Sequence, residues 1–343
     1  MHTDSDRKII IAGPCSIESR DQMNSVASAV SRVGAGILRA GFWKPRTHPG
    51  SFEGAGPEGL GWLVDAGRAN GMETATEVAS ASHVEECLKA GVDILWIGAR
   101  TSSSPFQVQE IADALKGVDI TVMVKNPLGA DIELWIGAFE RLAAAGITRF
   151  MAVHRGFPVS SPGPYRNEPH WEMSAELRMR LQGVPVICDP SHIAGRADLV
   201  GEVACRAMDL GFDGLMVEVH PNPGAALSDA AQQLTPGEFG DLVASLRPRR
   251  SSASSEMSSQ LEILRSKIDE VDCRIIADIA ERMHLSSEIG DLKRRGGMQI
   301  IQAGRWESVL SRAMETGKKY GLDEKTVREL FTILHRESVS SQQ

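Results

Sequence analysis

Gly36-Ile37-Leu38-Arg39-Ala40-Gly41-Phe42-Trp43-Lys44-Pro45-Arg46-Thr47 is a short apolar run that ends in a cation and opens into a basic loop. Gly50, Gly54 and Gly56 follow soon after. Three fixed cations, a hydroxyl and a flexible loop at the end of a strand make a pocket for phosphate and carboxylate groups. Taken alone, such a loop reads better as solvated basic surface. The decision depends on whether the other strands of the chain end in the same way.

From Lys8 to about Arg247, short apolar runs alternate with amphipathic segments. The runs lie at 9–12, 37–39, 73–77, 94–97, 121–124, 150–153, 184–188 and 215–219. They are rich in Val and Ile and do not strictly alternate, as expected of parallel strands buried on both faces. Helical candidates at 21–33, 58–70, 82–90 and 132–145 are followed by Gly34, Gly71, Gly91 and Gly146, a common helix stop. Eight β-α units in about 240 residues match an α/β (β/α)8 TIM barrel. A doubly wound open sheet is the alternative, but no G-x-G-x-x-G follows the first run.

Arg247-Pro248-Arg249-Arg250-Ser251-Ser252-Ala253-Ser254-Ser255 breaks the alternation and reads as a linker. The expected organisation is a barrel domain at 1–247, a linker at 248–256 and an all-helical domain at 257–343. Leu261, Leu264, Ile268, Val271, Ile275 and Ile279 recur at three and four and form one stripe on a long helix that stops at Gly296-Gly297. A second helix is expected at 305–320. A third is capped by Asp323, with Leu322 and Val327 spaced as a hydrophobic staple. Two shorter helices cannot cover the long apolar face, so the tail is expected to form a homodimer or larger assembly.

The 343 residues are 42% hydrophobic and carry a formal net charge of -8, which disfavours nucleic acid and anionic membrane as partners. There is no signal-peptide core at the start and no apolar run of spanning length. Cys15, Cys87, Cys188, Cys205 and Cys273 are scattered and odd in number, which points to a reducing cytoplasm.

In a barrel, chemistry collects where strands end. The first run ends at Gly13-Pro14-Cys15-Ser16, the third carries Glu77, the fourth leads to Arg100 and the fifth to Lys125. The sixth leads to His154-Arg155, the seventh to Asp189-Pro190-Ser191-His192, and the eighth to Glu218-Val219-His220 with Asp229 beyond. Arg39, Lys44, Arg46, Arg100, Lys125 and Arg155 would repel one another unless anionic groups lay between them. A phosphate plus a carboxylate, and a second phosphate, would satisfy them. Cys15, His192, Glu218 and Asp229 form a mixed S/N/O set suited to a divalent transition metal with an open position. Each has a bland reading: Cys15 as a small hydrophobe, His192 as a satisfied histidine, Lys125 and Arg155 as ion-pair partners, Glu218 as a cap. The convergence of nearly every strand on ionisable residues overturns it.

G-P-C-S, K-P-R-T, I-G-A-R, V-K-N-P, H-R-G, D-P-S-H and E-V-H, in this order, resemble 3-deoxy-D-arabino-heptulosonate 7-phosphate (DAHP) synthase, more narrowly its type Iβ branch. The resemblance implies one divalent metal ion, Mn2+ or another first-row transition metal, held by Cys15, His192, Glu218 and Asp229. It implies phosphoenolpyruvate at Arg39, Lys44, Arg100, Lys125 and Arg155, and the phosphate of erythrose 4-phosphate at Arg46 and Thr47. His48 stands where the family commonly has Ser. In the implied mechanism, C3 of phosphoenolpyruvate attacks an aldehyde polarised by the metal, and water adds at C2. Lys44 donates a proton to the forming alkoxide, and Glu77 is a candidate for handling the water.

The segment 257–343 resembles an AroQ-type chorismate mutase through L-x-x-L-R-x-x-I-D near its start and E-S-V-x-x-Q at its end. The resemblance implies chorismate at Arg265 (from a partner chain), Arg282, Lys293, Arg305, Ser338 and Gln342. Lys293 and Gln342 would act catalytically on the ether oxygen, where negative charge develops. Gln302 stands where Asp is frequent and Trp306 where Glu is common. The implied whole is a bifunctional enzyme of aromatic biosynthesis, with prephenate or chorismate on the tail inhibiting the barrel. Three alternatives compete: a tail that only dimerises and senses an effector; a Schiff-base aldolase using Lys125; and an octulosonate 8-phosphate synthase, which usually carries K-A-N-R in place of K-P-R-T.

Overall fold

The computed structural model describes residues 8–44, 50–159, 163–246, 255–300 and 303–342. The chain divides into two compact units, Met1–Ser251 and Ser252–Gln343.

Among the described residues, the first unit holds ten strands: β1 (Ile9–Gly13), β2 (Ile37–Arg39), β3 (Glu73–Val78), β4 (Ile94–Ile97), β5 (Thr121–Lys125), β6 (Arg149–His154), β7 (Phe157–Pro158), β8 (Asn167–Glu168), β9 (Val186–Cys188) and β10 (Gly214–Glu218). Eight close into a parallel barrel in the order β1-β10-β9-β6-β5-β4-β3-β2. These are the eight expected runs, with no end shifted by more than two residues. The antiparallel β7–β8 ribbon was not expected; each of its strands is only two residues long, too short for a periodic signal.

Because side chains alternate across a strand, each barrel strand has one inward series with a period of two. One layer of it is apolar: Ile11, Ile37, Ala75, Ile94, Met123, Val153, Ile187 and Met216, all buried in a single cluster. The outward residues pack under the surrounding helices in a second, larger core. Two residues further along each strand, the inward position is Gly13, Arg39, Glu77, Trp96, Lys125, Arg155, Asp189 or Glu218. The barrel is therefore plugged by a dry layer and carries an ionisable layer directly above it. Gly13 is required at this level, because a Cβ there would lie 2.0 Å from the carbonyl oxygen of Arg39.

The helices start on residues that spare their first N–H groups. Ser19, Ser80, Ser104 and Asp131 each cap with the side-chain oxygen, and Thr235 with Glu238 forms a capping box. Gly34, Gly71, Gly91 and Gly146 all take positive φ at helix ends. No helix of the described residues is long and apolar enough to cross a membrane.

The second unit contains helices Ser255–Arg295, Ala303–Lys319 and Glu324–Ser341. Asp323 caps the third through a 3.0 Å bond from Thr326 N–H. Leu322 remains 57% exposed while Val327 is buried, so the cap rather than a staple anchors that turn. Gly290 lets the long helix approach the chain end closely: a Cβ there would stand 2.7 Å from Gln342 Cα. Leu264, Ile268, Val271 and Ile275 on the long helix are exposed within a single chain.

Candidate active sites

The ionisable layer forms the floor of a cavity of about 490 Å³ at the strand ends, lined by Lys44, Glu77, Arg100, Lys125, Arg155, His192 and Asp229 among others. Two buried ion pairs organise it. Arg39 Nη1 meets Glu218 Oε1 at 2.7 Å, and Lys125 Nζ meets Asp189 Oδ2 at 2.7 Å. Both cations lie over the Trp96 ring, Arg39 at 4.8 Å and Lys125 at 5.7 Å from its centroid. The Trp96 indole N–H donates to Glu77 Oε2 at 3.0 Å, which turns that half-buried carboxylate toward the cavity wall. Arg39 Nε is buried and has no hydrogen-bond partner among the described residues.

Arg155 is placed by Asn126, whose Oδ1 accepts from its backbone N–H at 2.7 Å, and by Asn167 of the ribbon, whose Oδ1 accepts from its guanidinium at 2.9 Å. Burial lowers the Arg155 pKa to about 10; Asp189 opposes this, while Arg166 and Arg100 add repulsion. Among the described residues, six cations (Arg39, Lys44, Arg100, Lys125, Arg155, Arg166) thus gather with four carboxylates (Glu77, Asp189, Glu218, Asp229) around the cavity and its floor. The surplus of two positive charges in a partly desolvated space favours a multiply charged anion.

The donor atoms of Cys15, Glu218 and Asp229 lie within 4.8 Å of one another. His192 adds a nitrogen: its Nε2 is 3.9 Å from Glu218 Oε1, and its Nδ1 is 2.8 Å from Asp189 Oδ2. Asp189 also caps the short helix Pro190–Ala194 by accepting from His192 N–H at 3.1 Å, so one buried carboxylate orients both His192 and Lys125. Burial alone would raise the carboxylates, but His192, Arg39 and Lys44 hold Glu218 at about 2. Asp229 is likewise held well below the carboxylate range against its burial, chiefly by Lys44 and His192. Burial pushes the Cys15 thiol up to about 12, with Glu218 adding to the shift. As a thiol, Cys15 donates to Asp229 Oδ2 at 3.2 Å and accepts from Lys44 Nζ at 2.7 Å. The Lys44 ammonium resting on this sulfur and on Asp229 shows that the S/O cluster accommodates a cation. With His192 beside it, the set fits a first-row divalent ion.

The described barrel residues given a role from sequence gather around this cavity and its floor, whereas His154 and His220, also named at strand ends, do not line it. Arg46, Thr47 and His48 lie outside the described residues. Sequence reading placed Asp189 at a strand end without giving it a role, and did not single out Arg166, Asn167, Gln232 or Gln233. Asp189 was within reach, because it stands two residues beyond inward-facing Ile187. Arg166 and the two glutamines sit where no periodicity applies.

In the helical unit, a cavity of about 320 Å³ is lined by Arg282, Lys293, Arg305, Ser338 and Gln342, with Trp306 and His335 on one wall. Arg282 donates to Leu334 O at 2.9 Å and to Ser338 Oγ, and Lys293 Nζ donates to Gln342 Oε1 at 3.1 Å. Burial lowers the Arg282 pKa. Trp306 stacks on His335 with centroids 4.2 Å apart and an 18° interplanar angle. Five of the six tail residues expected from sequence therefore share one cavity. Arg265 is exposed on the long helix and is not among the residues lining it. Gln302 lies outside the described residues.

Comparison with known proteins matches each of the two units to a family model. Residues 1–251 match the family model described as "DAHP synthetase I family", and residues 264–343 match "Chorismate mutase type II". Phospho-2-dehydro-3-deoxyheptonate aldolase of Thermotoga maritima is 35% identical over 239 residues, covering 69% of this chain and 68% of that protein. A 2-dehydro-3-deoxyphosphooctonate aldolase of Methylococcus capsulatus is 29% identical over 238 residues, covering 64% of this chain and 81% of that one. The crystal structure of the Thermotoga maritima DAHP synthase superposes with a TM-score of 0.65 at 31% identity, over 77% of this chain and 73% of that one. A truncated form of that enzyme gives 0.61 at 30% identity, over 75% and 88%. The chain belongs to the DAHP synthetase I family and carries a C-terminal chorismate mutase type II domain, two enzymatic domains of the shikimate pathway in one polypeptide.

Proposed function

We propose that the barrel condenses phosphoenolpyruvate with erythrose 4-phosphate to DAHP and phosphate, and that the tail converts chorismate to prephenate. The observation that carries the first activity is the layer of ionisable residues immediately above the apolar plug, with the Cys15/Glu218/Asp229 cluster at its edge. Cys15, His192, Glu218 and Asp229 would hold one divalent ion, which when bound supplies Lewis-acid polarisation of the aldehyde. Arg39, Lys44, Arg100, Lys125 and Arg155 bind phosphoenolpyruvate through its phosphate and carboxylate. Arg46 and Thr47 take the phosphate of erythrose 4-phosphate.

Held this way, C3 of phosphoenolpyruvate lies opposite the aldehyde carbon, and most of the gain is in positioning. The new C–C bond leaves an alkoxide, to which Lys44 gives its proton. Glu77, facing the cavity, orients the water that adds at C2. Phosphate then departs with the bridging oxygen, so that one water is consumed for each phosphate released. Lys125 is committed to an ion pair with Asp189, which does not favour a Schiff-base aldolase.

In the tail, Arg282 and Arg305 with Arg265 of a partner chain hold the two carboxylates of chorismate, and Ser338 adds a hydroxyl. Lys293 and Gln342 stabilise the ether oxygen as its bond breaks. The exposed apolar stripe of the long helix is covered by a second copy, making at least a homodimer. Prephenate or chorismate in this cavity feeds back to inhibit the barrel. The five cysteines carry no disulfide, which fits a cytoplasmic enzyme.

Similarity to octonate aldolases makes co-substrate choice the decisive assay. Erythrose 4-phosphate should be turned over well and arabinose 5-phosphate poorly; the reverse preference would overturn the reading. Turnover of chorismate separates a catalytic tail from a purely dimerising, effector-binding one.

A further inference from the structure

Two adjacent glutamines stand behind the Cys15/Glu218/Asp229 cluster and have no part in the chemistry above. Gln232 and Gln233 are each 1% exposed, and Gln232 closes the 3-10 turn Ala230–Gln232 that follows Asp229. Gln232 Nε2 donates to Glu218 Oε2 at 2.8 Å, and its Oε1 accepts from Arg166 Nη1 at 2.9 Å. Glu218 Oε1 already accepts from Arg39 at 2.7 Å. Each oxygen of this carboxylate is therefore held by its own buried donor, and rotation of the group breaks one of those bonds. Gln233 does the same for the other side of the cluster. Its Oε1 accepts from the Cys15 backbone N–H at 3.0 Å, and its Nε2 donates to Ser228 O at 2.8 Å. Arg166 closes the circuit, with Nη1 3.3 Å from Asp229 Oδ1.

An amide suits position 232. It must donate to a carboxylate at one end and accept from a guanidinium at the other; a carboxylate could not donate, and an apolar side chain could do neither. The three donors of the cluster come from three separate segments, ending β1, ending β10 and in the loop beyond. Without fixed partners, each would have to be ordered when the ion arrives.

We propose that Gln232, seconded by Gln233 and Arg166, is a positioning residue that holds Cys15, Glu218 and Asp229 in place for a divalent ion before it binds. This rests on the metal assignment made under Proposed function. Orienting partners of metal ligands typically contribute about 10–100-fold in metal affinity.

The test is a Mn2+ titration of the full chain, with free Mn2+ read by electron paramagnetic resonance and the metal-free melting midpoint recorded in parallel. Wild type, Cys15→Ala, Gln232→Leu and Arg166→Ala are compared. Wild type is expected to bind one ion per chain and Cys15→Ala to lose it. Gln232→Leu should bind about 10–100-fold more weakly. Arg166→Ala, at a half-exposed side chain, should show a smaller loss with an unchanged midpoint. If wild type fails to bind, or Cys15→Ala binds equally, the metal assignment itself is wrong. If those two behave as expected while Gln232→Leu and Arg166→Ala bind as tightly as wild type, the positioning role alone is overturned. Should Gln232→Leu not fold, Arg166→Ala decides: weakened binding supports the role, and wild-type binding refutes it.

Discussion

Lys44 Nζ lies 2.7 Å from Cys15 Sγ and 3.2 Å from Asp229 Oδ2, so one ammonium touches both the thiol and a carboxylate of the candidate metal cluster. Burial would lower its pKa, but Cys15, Glu218 and Asp229 together raise it above the ordinary lysine value. Lys44 therefore stays charged at neutral pH and releases its proton only to a strong base, such as a forming alkoxide. Lys44→Met should lower kcat for phosphate release by about 10²–10⁴-fold. Its Mn2+ affinity should not fall, because the ammonium no longer competes for Cys15 and Asp229. A kcat close to wild type would remove Lys44 from proton delivery.

The Arg39–Glu218 pair, at 2% and 0% exposure, predicts a stability effect that depends on metal. Removing one partner of a buried pair leaves an uncompensated charge and costs about 3–5 kcal/mol. Arg39→Leu should show a loss of that order in urea with chelator present, and a smaller one with Mn2+, which would supply the missing positive charge. Equal losses in the two conditions would argue against an ion beside Glu218.

His154 faces away from the site and is buried among Trp135, Phe157, Trp171 and Phe212. Burial lowers its pKa to about 4, below the 6.5 of a histidine in the unfolded chain. The unfolded state thus binds the proton first as pH falls, and stability drops between pH 6.5 and about 4, by up to about 3 kcal/mol. His192, also lowered by burial, adds to the fall in the same direction. His154→Leu should flatten the fall in urea midpoint over this range without abolishing it. An unchanged slope would mean that His154 is not the group responsible.

In the tail, Arg282 donates to Ser338 and Leu334 at the cavity edge. Arg282→Ala should reduce chorismate turnover by at least about 10²-fold, the scale of losing one fixed donor in a catalytic site. Condensation activity in the barrel should persist. Deleting the residues after Arg247 should abolish inhibition by prephenate; retained inhibition would move the effector site out of the tail.

Much of this architecture was legible because parallel strands buried on both faces leave a plain mark. Runs such as 121–124 and 150–153 are too apolar and too short for anything else, and the cations that end them face inward by parity. Lys125 stands two residues beyond Met123 and Arg155 two beyond Val153, so both inherit the inward face. The same rule turns Asp189, two residues beyond Ile187, inward and so gives it a role in the site. It could not find Gln232 or Arg166, whose roles follow from how separate loops meet rather than from any local pattern. The β7–β8 ribbon, which seats Asn167 beside Arg155, escaped because its two-residue strands carry no periodic signal. In the tail, the stripe from Leu261 to Ile279 announced a long helix, but the stacking of Trp306 on His335 along one wall of the cavity depends on how two helices meet.

The most direct test of the barrel assignment is phosphate release from phosphoenolpyruvate and erythrose 4-phosphate, measured with and without chelator in wild type and Cys15→Ala. The expected result is release by wild type that stops with chelator and returns on adding Mn2+, with Cys15→Ala inactive throughout. Release that persists in chelator, or in Cys15→Ala at the wild-type rate, would contradict a metal held at Cys15, His192, Glu218 and Asp229.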